Sequence, residues 1–133
     1  MHLIVCIDEA NGMSFCGRRL SSDRLVTAHI LQMASGGKLW MNRYSSGLFS
    51  KQDIIVDEAF WEKAGVGDFC FVENIPVPAD TQKIESVIVY HWNRRYPSTV
   101  KFPAEILADR EAVETIEFAG YSHERITMKR YCQ

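Results

Sequence analysis

The fold of this chain is decided by the stretch IESVIVYHW, residues 84–92, in which every residue from Val87 to Tyr90 is apolar or aromatic. An unbroken apolar run rich in β-branched residues is typical of a strand buried on both faces of a sheet. The segment HLIVCID, residues 2–8, has the same character. Strands of this kind occur where helices cover both faces, so the two runs predict the interior of a helix-flanked, mostly parallel sheet.

Strand and helix patterns alternate between these two runs. The segment SSDRLVTAHILQMA, residues 21–34, has an apolar face at helical spacing, and Ser21 or Ser22 can cap this helix. Residues 9–20, before it, are expected to form a long loop. A second, short helix is expected to begin at Ser45 or Ser46. The remaining elements are three further strands and one short helix, predicted in KLWMN, DIIVD, DFCFVEN and EAFWEKAG.

The end of the chain alternates between apolar and polar residues. Ile116 and Phe118 are followed by a turn at residues 119–122, and then by Ile126 and Met128. This pattern predicts an antiparallel hairpin with one solvated face. We therefore predict one α/β domain over residues 1–133, in three layers, with a mixed, mostly parallel sheet flanked by helices and closed by an antiparallel hairpin.

Composition excludes several classes of function. A formal net charge of -2 gives no reason to expect a nucleic-acid or membrane partner. The N-terminal apolar run is too short for a signal peptide or membrane helix, so we expect a cytoplasmic protein with reduced thiols. The chain has no C-x-x-C pair, no H-E-x-x-H pattern and no G-x-S-x-G nucleophile motif. The first two absences lead us to expect no metal site. The third means that no serine lies in this nucleophile motif.

Asp23 has two interpretations. As an acid in the first turn of a helix, it can simply stabilise the helix dipole. As a lone carboxylate facing a pocket, it would have a raised pKa and could serve as a proton donor or as a clamp for a protonated heterocycle. If Arg18 or Arg19 pairs with it, the carboxylate would stay ionised.

The segment KLWMNRYSS, residues 38–46, also has two interpretations. Its serines can cap a helix, and Arg43 can be an ordinary surface arginine. Alternatively, Arg43, Ser45 and Ser46 can form a phosphate site, because a helix N-terminus offers free N–H groups and an arginine adds a bidentate donor.

Taken in order, these segments resemble the dihydrofolate reductase family. LIVCIDEANGM looks like the family's first strand and mobile loop, and Asp23 falls on its active-site carboxylate. Arg43 takes the place of the arginine that meets the cofactor's phosphates, and Ser45 that of the following threonine. The resemblance implies the family's fold and an NADPH site, and we expect Ile7, Thr27 and Tyr90 on the substrate side.

One departure from the family bears on function. The family has a Gly-Gly pair whose backbone lies against the cofactor, whereas this chain has Glu73-Asn74 at that point. A carboxylate there would repel a pyrophosphate unless a cation intervenes. The chain is also shorter than family members, mostly between Phe49 and Asp68.

We therefore expect non-catalytic binding of a nucleotide or another phosphorylated small molecule, or a dimeric interaction module. The alternative is an NADPH-dependent reductase of a pterin-like or other planar heterocycle. A homo-oligomer is compatible with either.

Overall fold

The computed structural model describes all residues, 1–133. It contains ten strands and three α-helices. In chain order these are β1 (His2–Ile7), β2 (Gly12–Phe15), β3 (Arg18–Arg19), α1 (Arg24–Met33), β4 (Leu39–Met41), α2 (Arg43–Ser46), β5 (Ile55–Val56), α3 (Phe60–Lys63), β6 (Phe69–Phe71), β7 (Ser86–His91), β8 (Val100–Lys101), β9 (Glu111–Phe118) and β10 (Ile126–Cys132).

The main sheet has seven strands in the order β5-β4-β6-β1-β7-β10-β9. β1 lies inside it and pairs in parallel with both β6 and β7, with Leu3 opposite Cys70 and Val87. Residues of β1 and β7 alternate between two apolar cores, one on each face of the sheet. The prediction of a helix-covered, mostly parallel sheet is therefore confirmed.

The closing hairpin is antiparallel, as predicted. β10 pairs with β7 on one side and with β9 on the other, and a register shift occurs between Arg130 and Tyr131. β9 forms the edge of the sheet, and most of its residues are exposed. The turn between the two strands, residues 119–125, reaches back towards the start of α1.

Three local predictions are corrected. Residues 9–20 are not simply a loop, because they contain β2 and β3, which join β8 in a second sheet with the order β3-β2-β8. Asp23 is itself the N-cap of α1 rather than a residue of its first turn. Helix α2 begins at Arg43, capped by Asn42, and not at Ser45 or Ser46.

No helix of the structure has both the length and the apolar character needed to cross a bilayer.

Candidate functional site

The carboxylate of Asp23 joins the start of α1 to the turn of the closing hairpin. Its Oδ1 accepts hydrogen bonds from the N–H groups of Leu25 and Tyr121, both at 2.9 Å. Its Oδ2 accepts from the N–H group of Ser122 and faces Nδ1 of His123, again at 2.9 Å. The side chain is fully buried. Both carboxylate oxygens are therefore engaged by the chain itself.

These donors determine the ionisation of Asp23. Burial pushes the pKa of the carboxyl upward, but the hydrogen bonds from Ser122, Tyr121, His123 and Leu25 outweigh it and hold the pKa well below its usual range. The expected rise in pKa is therefore corrected. A carboxylate bound in this way accepts hydrogen bonds rather than supplying a proton. The titratable group beside it is the imidazole of His123, and neither Arg18 nor Arg19 pairs with it.

A second hydrogen bond extends from His123 to the segment before α1. Nε2 of His123 lies 2.8 Å from the hydroxyl oxygen of Ser21. The imidazole ring stacks on Trp92, with ring centroids 4.7 Å apart. Ser21, His123 and Asp23 thus form one continuous chain of hydrogen bonds. Sequence patterns do not predict it, because His123 lies 100 positions after Asp23 and 102 after Ser21, and no nucleophile motif surrounds Ser21.

The N–H groups at the start of α2 are capped by side chains of the chain itself. The amide N–H of Arg43 donates to the carboxylate of Glu58 at 2.8 Å, and that of Ser45 donates to the side-chain oxygen of Asn42 at 3.0 Å. The hydroxyl of Ser46 donates to the carbonyl of Arg43 at 2.5 Å. A carboxylate of the chain thus occupies part of the place predicted for a phosphate.

Two of the side chains predicted to bind phosphate, those of Arg43 and Ser45, have no ion-pair or hydrogen-bond partner within the chain. The side chain of Arg43 is exposed and forms no ion pair within the chain. The hydroxyl of Ser45 is buried and has no hydrogen-bond partner. The predicted phosphate-binding side chains are therefore present, but the helix that would support them is a single turn.

Glu73, at the point where the family has glycine, is neutralised by the chain. Arg19 forms a bidentate pair with it, with Nε–Oε2 and Nη2–Oε1 distances of 3.0 and 3.1 Å. The guanidinium carbon of Arg19 lies 4.4 Å from the centre of the Tyr44 ring. Next to this pair, the side-chain amide of Asn42 donates to that of Asn74 at 2.9 Å. The cation that a carboxylate requires here thus comes from β3.

These contacts leave little space between α1 and β6. The cavity there has a volume of about 10 Å³, enough for one water molecule. Its walls include Ser21, Asp23, Val26, Glu73 and Trp92. A larger open groove of about 300 Å³ lies beside it, between the start of α1 and the end of α2. The residues that line this groove are Ser22, Asp23, Arg24, Thr27, Gly47 and Leu48.

The structure does not bring the three predicted substrate-side residues together. Thr27 lines the groove and the small cavity. Tyr90 is fully buried in the core beneath α1, and its hydroxyl lies 2.5 Å from Nδ1 of His29. Ile7 belongs to the core on the opposite face of the sheet. Only Thr27 thus borders open space.

The comparisons with known proteins support the fold and leave the family open. The chain matches the solved structure of dihydrofolate reductase from Enterococcus faecalis complexed with NADP(H) and RAB-propyl, with a TM-score of 0.67, over 98% of this chain and 94% of that chain. Sequence identity is 9%. No protein-family model and no curated protein matches the sequence. The fold is therefore dihydrofolate reductase-like.

No three His, Cys, Asp or Glu side chains are grouped to hold a metal ion.

Proposed function

We propose that this protein is a dihydrofolate reductase-like binding domain that holds a small phosphorylated ligand, of mononucleotide size, without transferring hydride. The observation that carries the proposal is the Arg19–Glu73 pair. It occupies the position at which the resemblance expects bare backbone against a dinucleotide, and both charges are already satisfied by each other.

The closed position disfavours a dinucleotide for an energetic reason. Glu73 is 6% exposed, so a pyrophosphate could enter only if the carboxylate were displaced from its cation or left beside two more negative charges. Removing one partner from a buried ion pair costs about 3–5 kcal/mol. A dinucleotide would therefore have to overcome that cost before it gained any contact.

The open groove favours a smaller ligand. Its volume of about 300 Å³ is at the lower end of ligand sites. Its rim carries the exposed guanidinium of Arg24 and the hydroxyl of Ser22, which can donate to phosphate oxygens. The hydroxyl of Thr27, also in the lining, donates to the backbone carbonyl of Asp23 at 3.2 Å. The Arg24 guanidinium lies over the ring of Tyr121, at 4.6 Å from the ring centre. This contact holds the cation at the groove.

A thermal-shift screen with AMP, NADPH and inorganic phosphate tests the proposal, followed by calorimetry. We expect AMP to raise the melting temperature, because a ligand at a hundredfold excess over Kd stabilises the native state by about 2.7 kcal/mol. The Arg24→Ala variant should lose this shift. Arg43→Ala is the matched control, since its side chain lies outside the groove lining, and it should keep the shift.

Two results would contradict the proposal. A shift with NADPH and none with AMP would mean that the Arg19–Glu73 pair opens for a dinucleotide. A shift with none of the three compounds would favour the dimeric interaction module, which size-exclusion chromatography with light scattering would then test.

One observation favours the reductase alternative. The solved dihydrofolate reductase that this fold matches is described as complexed with NADP(H), and the match extends over 98% of this chain. A reductase should consume NADPH in the presence of dihydrofolate, seen as loss of absorbance at the reduced-nicotinamide band. Because the Arg19–Glu73 pair blocks the position, we expect no loss from the wild type.

A further inference from the structure

The chain of hydrogen bonds from Ser21 through His123 to Asp23 has the connectivity of a nucleophile, its base and the group that orients the base. The Ser21 Oγ–His123 Nε2 distance is 2.8 Å and the His123 Nδ1–Asp23 Oδ2 distance is 2.9 Å. We propose that Ser21 is a nucleophile that accepts a small acyl group from an activated ester and passes it to water.

The ionised carboxylate of Asp23 determines where the protons lie in the hydrogen bonds that join Ser21, His123 and Asp23. Because it is ionised it can only accept, and its other oxygen already receives the N–H groups of Leu25 and Tyr121. Nδ1 of His123 must therefore carry the hydrogen that points at Oδ2. In the neutral imidazole this leaves the lone pair on Nε2, where it accepts the hydroxyl proton of Ser21. Ser21 is the donor, as a nucleophile requires.

Burial gives the arrangement fixed geometry. The side chains of His123 and Asp23 are 3% and 0% exposed, and the imidazole is stacked on Trp92. Asp23 is further fixed by its bonds to the hairpin backbone. An imidazolium formed during the reaction would be stabilised by a carboxylate that needs no rearrangement. Ser21 itself is partly exposed, so it remains accessible to a substrate.

The first turn of α1 contains backbone donors that no acceptor of the protein engages. The backbone N–H groups of Arg24 and Val26, in the first turn of α1, have no acceptor within the protein. They lie three and five positions after Ser21 in the sequence. Two free N–H groups at the start of a ten-residue helix can stabilise negative charge on a carbonyl oxygen.

The space around Ser21 limits the size of the acyl group. Ser21 lines the cavity of about 10 Å³, which has room for one water molecule only, so an acyl group must approach Ser21 from its partly exposed side and a long acyl chain has no enclosed space to enter. The groove of about 300 Å³ shares Ser22, Asp23 and Thr27 with that cavity and can take the leaving group. The substrate class is therefore a formyl or acetyl ester. This inference does not depend on a phosphorylated ligand in the groove.

The reaction balances without a cofactor. Oγ of Ser21 attacks the carbonyl carbon while its proton moves to Nε2 of His123. The carbon–oxygen bond to the leaving group breaks, and the leaving alkoxide takes the proton from His123. Water then attacks the acyl-serine ester by the same route in reverse, which releases the carboxylic acid and restores Ser21.

The test uses p-nitrophenyl acetate with the full chain, monitored by nitrophenolate release and by mass spectrometry of the peptide that contains Ser21. We expect an added mass of one acetyl group on Ser21. The Ser21→Ala variant should lose both signals. The His123→Gln variant should react at least about 10²-fold more slowly than the wild type. Ser35→Ala and His29→Gln are controls that should react like the wild type, since both residues lie outside the arrangement.

A second measurement separates reactivity from folding. All variants are first compared by thermal unfolding, and the Ser21→Cys variant is treated with iodoacetamide. We expect the introduced thiol to be alkylated at least tenfold faster than the exposed Cys16, and to lose that advantage when His123→Gln is added. If folded wild type gains no acetyl group on Ser21 and the introduced thiol reacts no faster than Cys16, the proposal is overturned, and the hydrogen bonds serve only to attach the hairpin to α1.

Discussion

At the scale of single residues, Asp23 combines contacts from distant parts of the chain. It caps α1 by accepting from Leu25, and it also holds the hairpin turn through Tyr121, Ser122 and His123. The sequence predicted an acid at the start of this helix, because that position favours negative charge. It could not predict the other contacts, which depend on where residues about a hundred positions later come to lie.

Replacing Asp23 by Asn should destabilise the fold. The amide cannot accept at both atoms, so either Leu25 and Tyr121 or Ser122 and His123 lose their acceptor in a buried site. We expect a loss of about 3 kcal/mol in the free energy of unfolding, measured in urea at pH 7. Asp109→Asn, at an exposed carboxylate, is the control and should change stability by less than about 0.5 kcal/mol. An equal effect of both substitutions would refute the assignment.

The Arg19–Glu73 pair should respond unequally to removal of each partner. The Arg19 side chain is 24% exposed and can turn to solvent when Glu73 is changed, whereas Glu73 is 6% exposed and cannot. We expect Arg19→Met to cost about 3–5 kcal/mol and Glu73→Gln to cost about 1 kcal/mol. Urea titrations of the two variants and of the double variant measure the difference. If Glu73→Gln proves the more costly change, the carboxylate is not the trapped partner.

At the scale of elements, the sequence predicted the large strands and α1 and missed the second sheet. Apolar runs and helical spacing are local signals, so β1, β7 and the closing hairpin could be located. β3 and β8 contain two residues each, and β2 pairs with β8 across more than eighty positions. No local pattern marks such short strands. The cap of α2 was misplaced because Asn42 and two serines are all good capping residues.

The hairpin turn meets α1 closely at Gly120. A Cβ atom added there would lie 2.6 Å from Oδ2 of Asp23. We therefore expect Gly120→Ala to push the turn away from the helix and to lower the free energy of unfolding by about 1–3 kcal/mol. Gly36→Ala is the matched control, because nothing lies within 4 Å of its added Cβ. Thermal unfolding of the two variants decides, and a neutral Gly120→Ala would mean that the turn is not held against Asp23.

At the scale of the whole molecule, the space between α1 and β6 is smaller than the resemblance to dihydrofolate reductases predicts, because side chains of the protein fill it. The order of elements was sufficient to predict a dihydrofolate reductase-like fold, and the solved structure it matches confirms this. The departure at Glu73 raised a question about the cofactor position. The structure shows that Arg19 of β3 pairs with Glu73, the carboxylate after β6. Because 54 positions separate the two residues, no local sequence pattern predicts this pair.

Stability should fall in mild acid. Burial lowers the pKa of His29, of His91 and of His2, although Glu85 partly opposes the effect at His2. The unfolded chain therefore takes up protons near the ordinary histidine pKa of about 6.5, before the folded state does. Native stability is fully present above that pH and declines as the pH falls towards the lowered values.

Urea titrations at pH 7.5 and 5.5 measure this decline. His29→Gln removes one of the three groups and should reduce the difference between the two pH values. If the free energy of unfolding were the same at both, the buried histidines would not be titrating differently in the folded and unfolded chains.

The contacts of Asp23 also bear on how the protein is made. Its partners in the hairpin are translated 98 to 100 residues after it. During most of synthesis, α1 leaves the ribosome with a carboxylate that has only its own first turn to bind. Local structure can form early, but the contacts of high sequence separation must wait for the last hairpin. A nascent chain stalled before residue 121 should therefore remain sensitive to proteases at α1, and a chain extended until β10 has left the ribosome should show that helix protected.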